Sequence, residues 1–496
     1  MYKQMNILLV YPQSPSTFWS FRNAVKFISK KSAEPPLGLI TVAAMLPATW
    51  DKKLIDMNIR PLKDEHILWA DFVFLTGMTI HKESFKKVLR RCNALNRKVV
   101  AGGPMVSFDY KEFPEVDHFV LNEAEITLPR FLEDLEKGRA RQIYSSKKFP
   151  DICRTPVPLW NLLEKDKYSS MSIQYSRGCP HNCEFCSITV LNGHKPRTKS
   201  SAQFLAELEA LYMSGWRNGV FIVDDNFIGN KKKLKNDFLP ALIEWSKAHD
   251  YPFEFTTEVS INLADDARLM SLMSLAGFNH TFVGIETTHS ASLAECGKKQ
   301  NIERDLLSSV RKLHQAGLRV SGGFILGFDH DPPSIFKDMT AFIQNSGVVT
   351  AMVGLLNAPS GTPLWQRLKK EKRLLNEMSG DNLDGSINFV PIMNYHNLIA
   401  GYKEVLTTIY SQKVYYERVK TFLKEYRPSA LKSNRVCLQG IKALFKSIWI
   451  LGFLEKGKRY YWKLFFYSLL RQTKKFPLAV EMAIYGFHFR QIIKSL

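Results

Sequence analysis

Three cysteines within eight residues are the feature that most restricts what this chain can fold into. Cys179, Cys183 and Cys186 have the spacing CxxxCxxC and follow a strand-like stretch at 172–176. Thiolates this close in sequence converge on one centre only where the chain forms a loop. A structural zinc site or a closed iron–sulfur cluster takes four protein ligands. Three cysteines therefore predict a 4Fe–4S cluster with one open iron, held in a loop that follows a strand.

Two other uses of these cysteines remain open on the residues alone. The thiols could be buried and free, or they could bind zinc with His181 or His194 as the fourth ligand. No CxxC or HxxxH pair lies near enough in sequence to complete a zinc site with the usual spacing. The narrow cysteine spacing, together with Phe185 directly before the third cysteine, favours the cluster.

The CxxxCxxC spacing after a first strand, with an aromatic residue before the last cysteine, resembles the radical S-adenosylmethionine (SAM) superfamily. The resemblance implies that Cys179, Cys183 and Cys186 bind the 4Fe–4S cluster and that SAM chelates its open iron. In that family, reductive cleavage of SAM yields a 5′-deoxyadenosyl radical, which abstracts hydrogen from an unactivated carbon. A one-electron donor of the flavodoxin or ferredoxin type is therefore an expected partner.

The composition predicts a globular, cytoplasmic protein of two or three domains. The 496 residues are 45% hydrophobic and 23% charged, which is ordinary for a globular chain. Seven cysteines, three of them in one motif, do not form a secreted disulfide framework, and an oxygen-sensitive cluster needs a reducing compartment. Residues 1–10 lack a signal-peptide layout, and no apolar run approaches the ~18–20 residues of a membrane span.

Residues 1–150 predict a small α/β domain. Short buried strands alternate with amphipathic helical stretches, which is typical of a parallel, doubly wound, flavodoxin-like sheet. The predicted strands are 6–11, 53–56, 72–76, 98–102 and 118–121, and the predicted helices include 37–46, 82–95 and 128–136. Ligands of such sheets bind at the carboxyl ends of the strands. On this pattern alone, a ligand site and a purely structural domain are both open interpretations.

The order of the segments at 34–46, 101–104 and 122–125 resembles the cobalamin-binding domain that precedes many radical SAM domains. The resemblance implies cobalamin contacts at the strand ends, from Asn58, Thr76, Gly77, Gly102, Gly103, Asn122 and Glu123. The wider cobalamin-binding family uses DxHxxG, whose histidine ligates cobalt from below. Here Asp56-Met-Asn58 has asparagine in the histidine position, which implies weaker axial ligation and easier methyl transfer. A degenerate, empty domain is the alternative.

Residues 169–395 predict a partial (β/α)6 barrel, after a linker at 151–168 whose Trp160 can dock on a neighbouring domain. Further strands are predicted at 219–224, 253–258, 280–286, 319–326 and 351–356. Helices are predicted at 202–213, 233–248, 266–276, 304–316 and 335–345. With the strand before the cysteines these form six βα units, as in the radical SAM fold, although βα alternation alone does not exclude other α/β folds.

Polar residues and glycines at the predicted strand ends are the candidate SAM contacts. They are Phe185, Asp224, Asp225, Asn226, Glu258, Glu286, Gly323 and Gly327. The stretch 224–226 takes the position of the family's Gly-Gly-Glu-like motif, which holds the SAM amino group, although the glycines are missing. The resemblance assigns Glu258 and Glu286 to the ribose or methionyl group and 323–327 to the adenine. Helix caps, buried ion pairs and ordinary turns are the alternatives, and no residue is assigned a catalytic role.

Five segments extend the resemblance to the subgroup of cobalamin-binding radical SAM proteins that contains the bacterial hopanoid 2-methylases. They are 36–44, 196–199, 223–231, 251–264 and 352–356. The likeness covers nearly the whole chain. Because the subgroup includes many members of unknown substrate, the resemblance supports the architecture and chemistry more than the substrate.

Residues 396–496 predict a basic, aromatic, helical region. From residue 401 onward the chain carries 19 Lys or Arg and 5 Asp or Glu, a net +14 of the total +21. Helices are predicted at 438–454 and 458–474, with Gly452 and Pro477 interrupting the pattern. Basic helices with aromatic faces suit an anionic membrane surface, so the protein is expected in the cytoplasm or peripherally at the inner membrane face. A structural cap on the barrel remains open, and nucleic acid is the least favoured partner.

The resemblance implies a methyltransferase that uses cobalamin and radical SAM chemistry on an sp3 carbon, in a hydrophobic substrate of hopanoid-like lipid type. One SAM would methylate the cobalamin and a second would supply the radical. A non-methylating rearrangement or cyclisation, and a non-catalytic cobalamin-binding or membrane-binding module, are the alternatives. An RNA methylthiotransferase would need a second cluster, whereas residues 1–150 contain one cysteine, Cys92. Methylation through a protein cysteine lacks a motif around Cys153, Cys296 or Cys437.

Overall fold

Two six-stranded parallel sheets form the framework of the computed structural model, which describes residues 3–375, 378–381, 383–429 and 438–494. The first sheet contains β1 Asn6–Tyr11, β2 Asp51–Asp56, β3 Phe72–Thr76, β4 Lys98–Gly102, β5 His118–Val120 and β6 Ile143–Tyr144. The second contains β7 Ser170–Ile173, β10 Gly219–Ile222, β11 Glu254–Val259, β12 Phe278–Glu286, β13 Arg319–Leu326 and β14 Thr350–Leu355. Between them in sequence, β8 Ser176–Arg177 and β9 Arg197–Thr198 pair as a small antiparallel hairpin.

Helices cover the sheets and form the C-terminal region. Those of the N-terminal half are α1 Arg22–Val25, α2 Leu37–Met45, α3 Asp64–Trp69, α4 Lys82–Ala94, α5 Pro104–Asp109, α6 Ala124–Glu136, α7 Ile188–Asn192, α8 Ser201–Met213, α9 Lys231–Lys233 and α10 Leu239–Ala248. The others are α11 Ala267–Ala276, α12 Ser290–Glu295, α13 Leu306–Gln315, α14 Ile335–Ser346, α15 Pro363–Lys370, α16 Tyr395–Ile409, α17 Gln412–Glu425, α18 Leu438–Ser447, α19 Lys458–Arg471 and α20 Phe476–Ile493. In the part of the chain that the structure describes, no helix has both the length and the apolar character to cross a bilayer.

The first sheet has the strand order β2-β1-β3-β4-β5-β6, and every pairing is parallel. Residues Ile7–Val10 of β1 are fully buried because helices cover both faces of the sheet. Ile7 and Leu9 belong to one core cluster and Leu8 and Val10 to the other, as alternating side chains of a strand require. The strand order reverses between β1 and β3, which confirms the predicted flavodoxin-like domain.

The second sheet has the order β14-β13-β12-β11-β10-β7, so its neighbours in space are its neighbours in sequence. All five pairings are parallel, and each strand is followed by at least one helix. This arrangement confirms the predicted partial (β/α)6 barrel. In the described residues β7 and β14 are not paired with each other, so the barrel is open on that side.

The N-terminal domain adds backbone to the free edge of β7. Ser32 forms a parallel bridge with Tyr168, Ser169 N donates to Ser32 O at 3.1 Å, and Ser170 N donates to Ala33 O at 2.9 Å. The linker between the domains is packed rather than loose, since Trp160 is 4% exposed. The two domains therefore share hydrogen bonds at the open side of the barrel.

The C-terminal helices cover the end of the barrel at which its strands begin. Helix α16 packs on α14, α17 packs on α13 and α14, and α20 packs on α1 and α17. Arg319, at the start of β13, forms a salt bridge with Glu481 of α20 at 2.9 Å. A small cavity lies between this helix and the barrel, next to Arg319 and His280. The helical character predicted for this region is confirmed, and part of it is a structural cap.

Three local departures from the expected helices have identifiable causes. The helix predicted at 233–248 contains a π-helical stretch, Leu234–Phe238, just before Pro240, whose nitrogen cannot donate to the helical ladder. Gly452 does not interrupt its helix but lies inside a second π stretch, Ile448–Leu454, where an added Cβ would be 2.9 Å from the Trp462 ring. Pro477 lies in the first turn of α20, where a missing N–H is tolerated.

Candidate functional site

The cysteine motif lies in a loop held by the β8–β9 hairpin at the carboxyl end of β7. Gly178 has φ = +94°, and a Cβ there would lie 2.8 Å from the carbonyl oxygen of Lys195. Cys179 N donates to Gly193 O at 3.2 Å, which joins the start of the loop to the turn before β9. The hairpin and the glycine therefore fix where the first cysteine leaves the strand.

The three thiols lie close enough to act on one another electrostatically. Burial raises the pKa of all three, to about 12 for Cys186, and the charges of Cys179 and Cys183 raise it further. Across the described residues, no three His, Cys, Asp or Glu side chains surround a single ion position. A 4Fe–4S cube bonds each cysteine to a different iron, so its ligands are spread more widely than those of one ion. The loop fits such a cluster, and the individual ligands remain predictions.

The zinc alternative gains no support from the two histidines. The ring of His181 lies 3.4 Å from Ser260 Oγ, and His194 is exposed. Of the other cysteines, Cys92 and Cys296 are buried, Cys153 is exposed, and Cys437 lies outside the described residues.

A segment after α12 packs directly against the cysteine loop, and sequence reasoning missed it. Glu184 N donates to Cys296 O at 2.9 Å, and a Cβ on Gly297 would lie 2.7 Å from Asn182 O. The side chain of Gln300 hydrogen-bonds to Cys183. No sequence motif marks this segment. Its only signal in the sequence is its place in the βα unit that begins with β12.

Lys298 of the same segment brings a buried positive charge to the cysteines. Its Nζ lies 2.5 Å from Oε1 of Glu286, which ends β12 with φ = +65°. Burial opposes the charged form, but Glu286 and Cys183 outweigh it and raise the pKa of Lys298. Glu286 was a candidate SAM contact, and its carboxylate already binds Lys298. Direct contact of Glu286 with SAM remains a prediction.

The residues at 224–226 divide into different roles. Asp224 is fully buried, and its carboxylate accepts from Tyr175 N at 2.8 Å and Ser176 Oγ at 2.5 Å, so it anchors the end of β7. Asp225 accepts from Asn192 Nδ2 at 3.2 Å, and burial raises its pKa to about 6. Asn226 Nδ2 lies 3.9 Å from Cys179 Sγ, which makes it a neighbour of the cysteine loop.

Two glutamates face the barrel interior and are held there with raised pKa values. Burial raises the pKa of Glu258 to about 8, and the carboxylates of Asp225 and Glu34 add to this. Burial raises the pKa of Glu34 to about 7, although the Ser172 hydroxyl hydrogen-bonds to it. Glu34 comes from the N-terminal domain, next to the Ser32 bridge, and was not predicted. Carboxyl groups gathered in one space fit a cationic ligand, and SAM carries sulfonium and ammonium charges.

Three further candidates lie within β13, directly after it and in the cysteine loop. A Cβ on Gly323 would be 2.9 Å from the Phe282 ring, and Gly327 has φ = +103°. The backbone N–H of Gly327 donates to Asp331 at 2.9 Å. The Phe185 ring lies 6.2 Å from that of Phe328. Contacts of Gly323, Gly327 and Phe185 with SAM remain predictions.

An aromatic pair forms the apolar part of the barrel interior. Phe282 is in register with Glu258 on one side and Ser321 on the other, so the three side chains point to the same face of the sheet. Trp19, from the N-terminal domain, packs on Phe282 with 4.7 Å between ring centroids, yet is 45% exposed. The barrel interior therefore has a carboxylate-rich part and an aromatic part next to each other.

The candidate cobalamin edge of the first sheet contains no free side chain at the histidine position. Asn58 accepts from Ser14 N at 2.9 Å and donates to Asp56 Oδ1 at 2.8 Å. His81 lies at the same edge and has both ring nitrogens engaged, with Ser14 Oγ at 2.8 Å and Met78 N at 3.1 Å. Burial lowers the pKa of His81 to about 4. At this edge both side chains are therefore held by hydrogen bonds within the protein.

Neighbouring groups pack closely against the glycines at the ends of β3 and β4. Thr76 Oγ1 donates to Gly102 O at 2.9 Å, and a Cβ on Gly103 would lie 2.3 Å from Thr76 Oγ1. Gly103 also has φ = +101°, which a side chain would strain. At Gly77 an added Cβ would be 3.3 Å from His81. Only glycine fits at 103, so the edge there is formed by backbone, and contacts of these residues with cobalamin stay predictions.

The last two cobalamin candidates follow β5, and the second of them belongs to the contact between the domains. Asn122 has φ = +63° and accepts from Ser146 N at 3.2 Å. Glu123 forms salt bridges with Arg177 and Arg197, both at 2.7 Å. These arginines are β8 and β9 residues, so Glu123 ties the first sheet to the hairpin that holds the cysteine loop. A contact of either residue with cobalamin remains a prediction.

Comparisons with known proteins agree with this arrangement. Family models match in the order B12 binding domain (residues 27–132), Radical SAM superfamily (173–343) and a domain of unknown function, DUF4070 (362–496). An uncharacterized methyltransferase of Synechocystis sp. is 39% identical over 98% of this chain and 92% of its own. The hopanoid C-2 methylase of Rhodopseudomonas palustris is 32% identical over 94% of this chain and 89% of its own. The chain belongs to the cobalamin-binding radical SAM methyltransferases.

Solved structures of two enzymes have the same fold as this protein. The cobalamin-dependent SAM radical enzyme OxsB matches with a TM-score of 0.64 at 15% identity, over 99% of this chain and 80% of that one. The radical SAM methyltransferase TsrM of Kitasatospora setae matches with a TM-score of 0.61 at 14% identity, over 99% and 100%. The matched domains give the protein a 4Fe–4S cluster, SAM and cobalamin as cofactors. The predicted family, enzyme class and cofactors are confirmed.

Proposed function

We propose that this enzyme methylates an sp3 carbon of a polycyclic, hopanoid-like lipid. The observation that carries the proposal is the Trp19–Phe282 pair, which gives the barrel interior an aromatic wall in the same row as Glu258. The relative from Rhodopseudomonas palustris that acts on hopanoids supports the substrate class.

The aromatic wall formed by Trp19 and Phe282 suits a substrate that has few polar groups. A saturated ring system is held by burial of apolar area, at about 25 cal/mol per Å² removed from water, and aromatic side chains offer large rigid surfaces for this. Glu34, Asp225 and Glu258 are then free to face SAM, whose cationic groups relieve their mutual repulsion.

The chain's own residues would divide the work among the three cofactors. Cys179, Cys183 and Cys186 would bind the cluster, with Asn226 and Gln300 next to the sulfurs. The first-sheet edge, including Thr76 and Gly103, would carry cobalamin. When bound, the cluster and SAM supply the hydrogen-abstracting chemistry, and cobalamin supplies the methyl group.

We further propose the partners and the compartment. The protein takes electrons from a one-electron donor of the flavodoxin or ferredoxin type, which the cluster requires. It works in the cytoplasm, peripherally at the inner face of the membrane, since the basic C-terminal region and a lipid substrate both favour that surface.

The test is anaerobic reconstitution with iron, sulfide and hydroxocobalamin, followed by SAM, a reductant and total bacterial lipid extract. Mass spectrometry is expected to find a lipid that gains one methyl group, with 5′-deoxyadenosine and S-adenosylhomocysteine formed together. Deoxyadenosine without S-adenosylhomocysteine would instead favour a non-methylating radical reaction.

The wall itself is tested with Trp19→Ala. This variant is expected to lower lipid methylation at least tenfold while keeping its iron content and its cleavage of SAM, because Trp19 touches the apolar part of the interior. Met213→Ala, which removes an apolar side chain that is 74% exposed on α8, is the control. Unchanged methylation by Trp19→Ala would contradict the proposed substrate site.

A further inference from the structure

Exposed apolar side chains are concentrated on two helices of the C-terminal region. Among the described residues, nine large apolar side chains are more than half exposed, and six of them lie between 445 and 470. These six are Phe445, Trp449, Phe453, Leu454, Phe466 and Leu470. We call them the aromatic ridge.

The ridge is continuous across the two helices. Ring centroids are 6.1 Å apart for Trp449 and Phe453, 6.0 Å for Phe453 and Trp462, and 5.6 Å for Trp462 and Phe466. Its members come from α18 and the π stretch that extends it, and from α19. Soluble proteins rarely expose a contiguous apolar strip of this kind without a partner.

Positive charge surrounds the ridge. Lys442, Lys456, Lys458, Arg459 and Lys463 are all exposed on the same two helices or the turn between them. Glu455 is the one acidic residue between 438 and 480, and Arg490 binds both its oxygens, at 2.9 and 3.0 Å. No acidic side chain of this stretch is therefore left to oppose an anionic surface.

We propose that the aromatic ridge docks the enzyme on an anionic lipid bilayer, with its rings among the headgroups and the lysines facing the lipid phosphates. Aromatic residues flanked by Lys and Arg match the apolar and negative layers of such an interface. This deepens the proposed function and rests on it for its purpose, because a polycyclic lipid resides in the bilayer. The docking itself needs no turnover and is measured separately.

The ridge is joined to the barrel through α20. Phe476 of α20 packs on Phe465 of α19 with centroids 5.0 Å apart. Farther along α20, Tyr485 packs on Phe21 at 5.1 Å. Phe21 is two residues from Trp19, which forms the aromatic wall of the barrel interior. The docking surface and that wall therefore belong to one packed unit.

The docking is tested by flotation of the full-length reconstituted protein with vesicles of equal parts phosphatidylglycerol and phosphatidylcholine. The protein is expected to float with these vesicles and only weakly with pure phosphatidylcholine. The double variant Phe445→Glu/Trp449→Glu is expected to lose at least 30-fold in affinity. Met213→Glu, at an equally exposed position on α8, is expected to bind like the parent.

A second double variant tests the docking even if the first double variant does not fold. Lys456→Gln/Lys458→Gln removes two exposed charges and leaves the ridge intact, and it is expected to weaken binding to the anionic vesicles about 30-fold. Iron and cobalamin content check that each variant is folded.

Failure of the parent to bind the anionic vesicles would overturn the proposal, and so would binding by both double variants that is as tight as binding by the parent. So would a stable dimer that the ridge variant abolishes, or binding to RNA but not to vesicles. Methylation of detergent-solubilised lipid by a protein that does not dock would remove only this inference. Docking without any methylated lipid would remove only the proposed substrate.

Discussion

Single side chains around the cysteine loop determine the electrostatic potential at the place where a cluster would bind. Lys298 is buried, positively charged and paired with Glu286, while Gln300 donates to Cys183. Reduction makes an iron–sulfur cluster more negative, so a nearby ammonium stabilises the reduced state. The potential of such clusters depends on charge, hydrogen bonds to sulfur and solvent exposure.

Lys298→Met is expected to lower the reduction potential of the reconstituted cluster by about 60 mV, which corresponds to tenfold weaker reduction. The measurement is a redox titration followed by electron paramagnetic resonance, with iron content as the check on loading. Lys299→Met removes an exposed charge from the neighbouring position and is expected to leave the potential unchanged. Equal potentials for Lys298→Met and the parent would contradict the electrostatic role.

Glu258 predicts a pH dependence of stability in the cofactor-free protein. Burial raises its pKa to about 8, whereas a glutamate in the unfolded chain ionises near 4.5. The folded state therefore binds the proton more tightly, and stability falls as the pH rises from about 4.5 to about 8. Glu258→Gln is expected to flatten the decline of the thermal midpoint between pH 5.5 and 8.5. Glu244→Gln, on the exposed face of α10, is the control, and identical slopes in all three proteins would refute the argument.

At the scale of elements, buried runs made the strands predictable from sequence. Every predicted strand of both sheets is present, because a parallel sheet covered on two faces needs continuous apolar residues. Glu34 and Lys298 could not be predicted, since their positions depend on packing between segments far apart in the chain. Glu34 reaches the barrel only because Ser32 pairs beside β7.

The turn into the cysteine loop offers a matched test of element geometry. Gly178→Ala is expected to destabilise the protein by about 1–3 kcal/mol and to lower its iron content, because the new Cβ meets the Lys195 carbonyl at 2.8 Å. Gly215→Ala is the control. Gly215 also has a positive φ, +89°, but a Cβ added there would have no neighbouring atom within 4 Å. Thermal unfolding and iron analysis of both variants separate the steric clash from the backbone strain. A larger loss for Gly215→Ala would refute the assignment.

At the scale of the whole molecule, side-chain contacts join the domains at several points. Glu123 and Glu125 of the first domain bind Arg177 at the cysteine loop, and Tyr168 donates to Asp56 at 2.9 Å. Removing one partner of such a buried ion pair costs about 3–5 kcal/mol. The order of domains was readable from the motifs. Their mutual arrangement was not, because it depends on these long-range pairs.

The packing of α20 against α1 has a consequence for how the chain is made. Asn23 N donates to the His488 ring at 3.4 Å across 465 positions, and Arg319 at the base of the barrel meets Glu481. A ribosome adds about 5–20 residues per second, and domains begin to fold as they emerge. The barrel strands are therefore complete before the helix that seals their base has been synthesised. Until α20 has been synthesised, the amino-terminal end of the nascent barrel stays uncovered, and Arg319 lacks the carboxylate of Glu481.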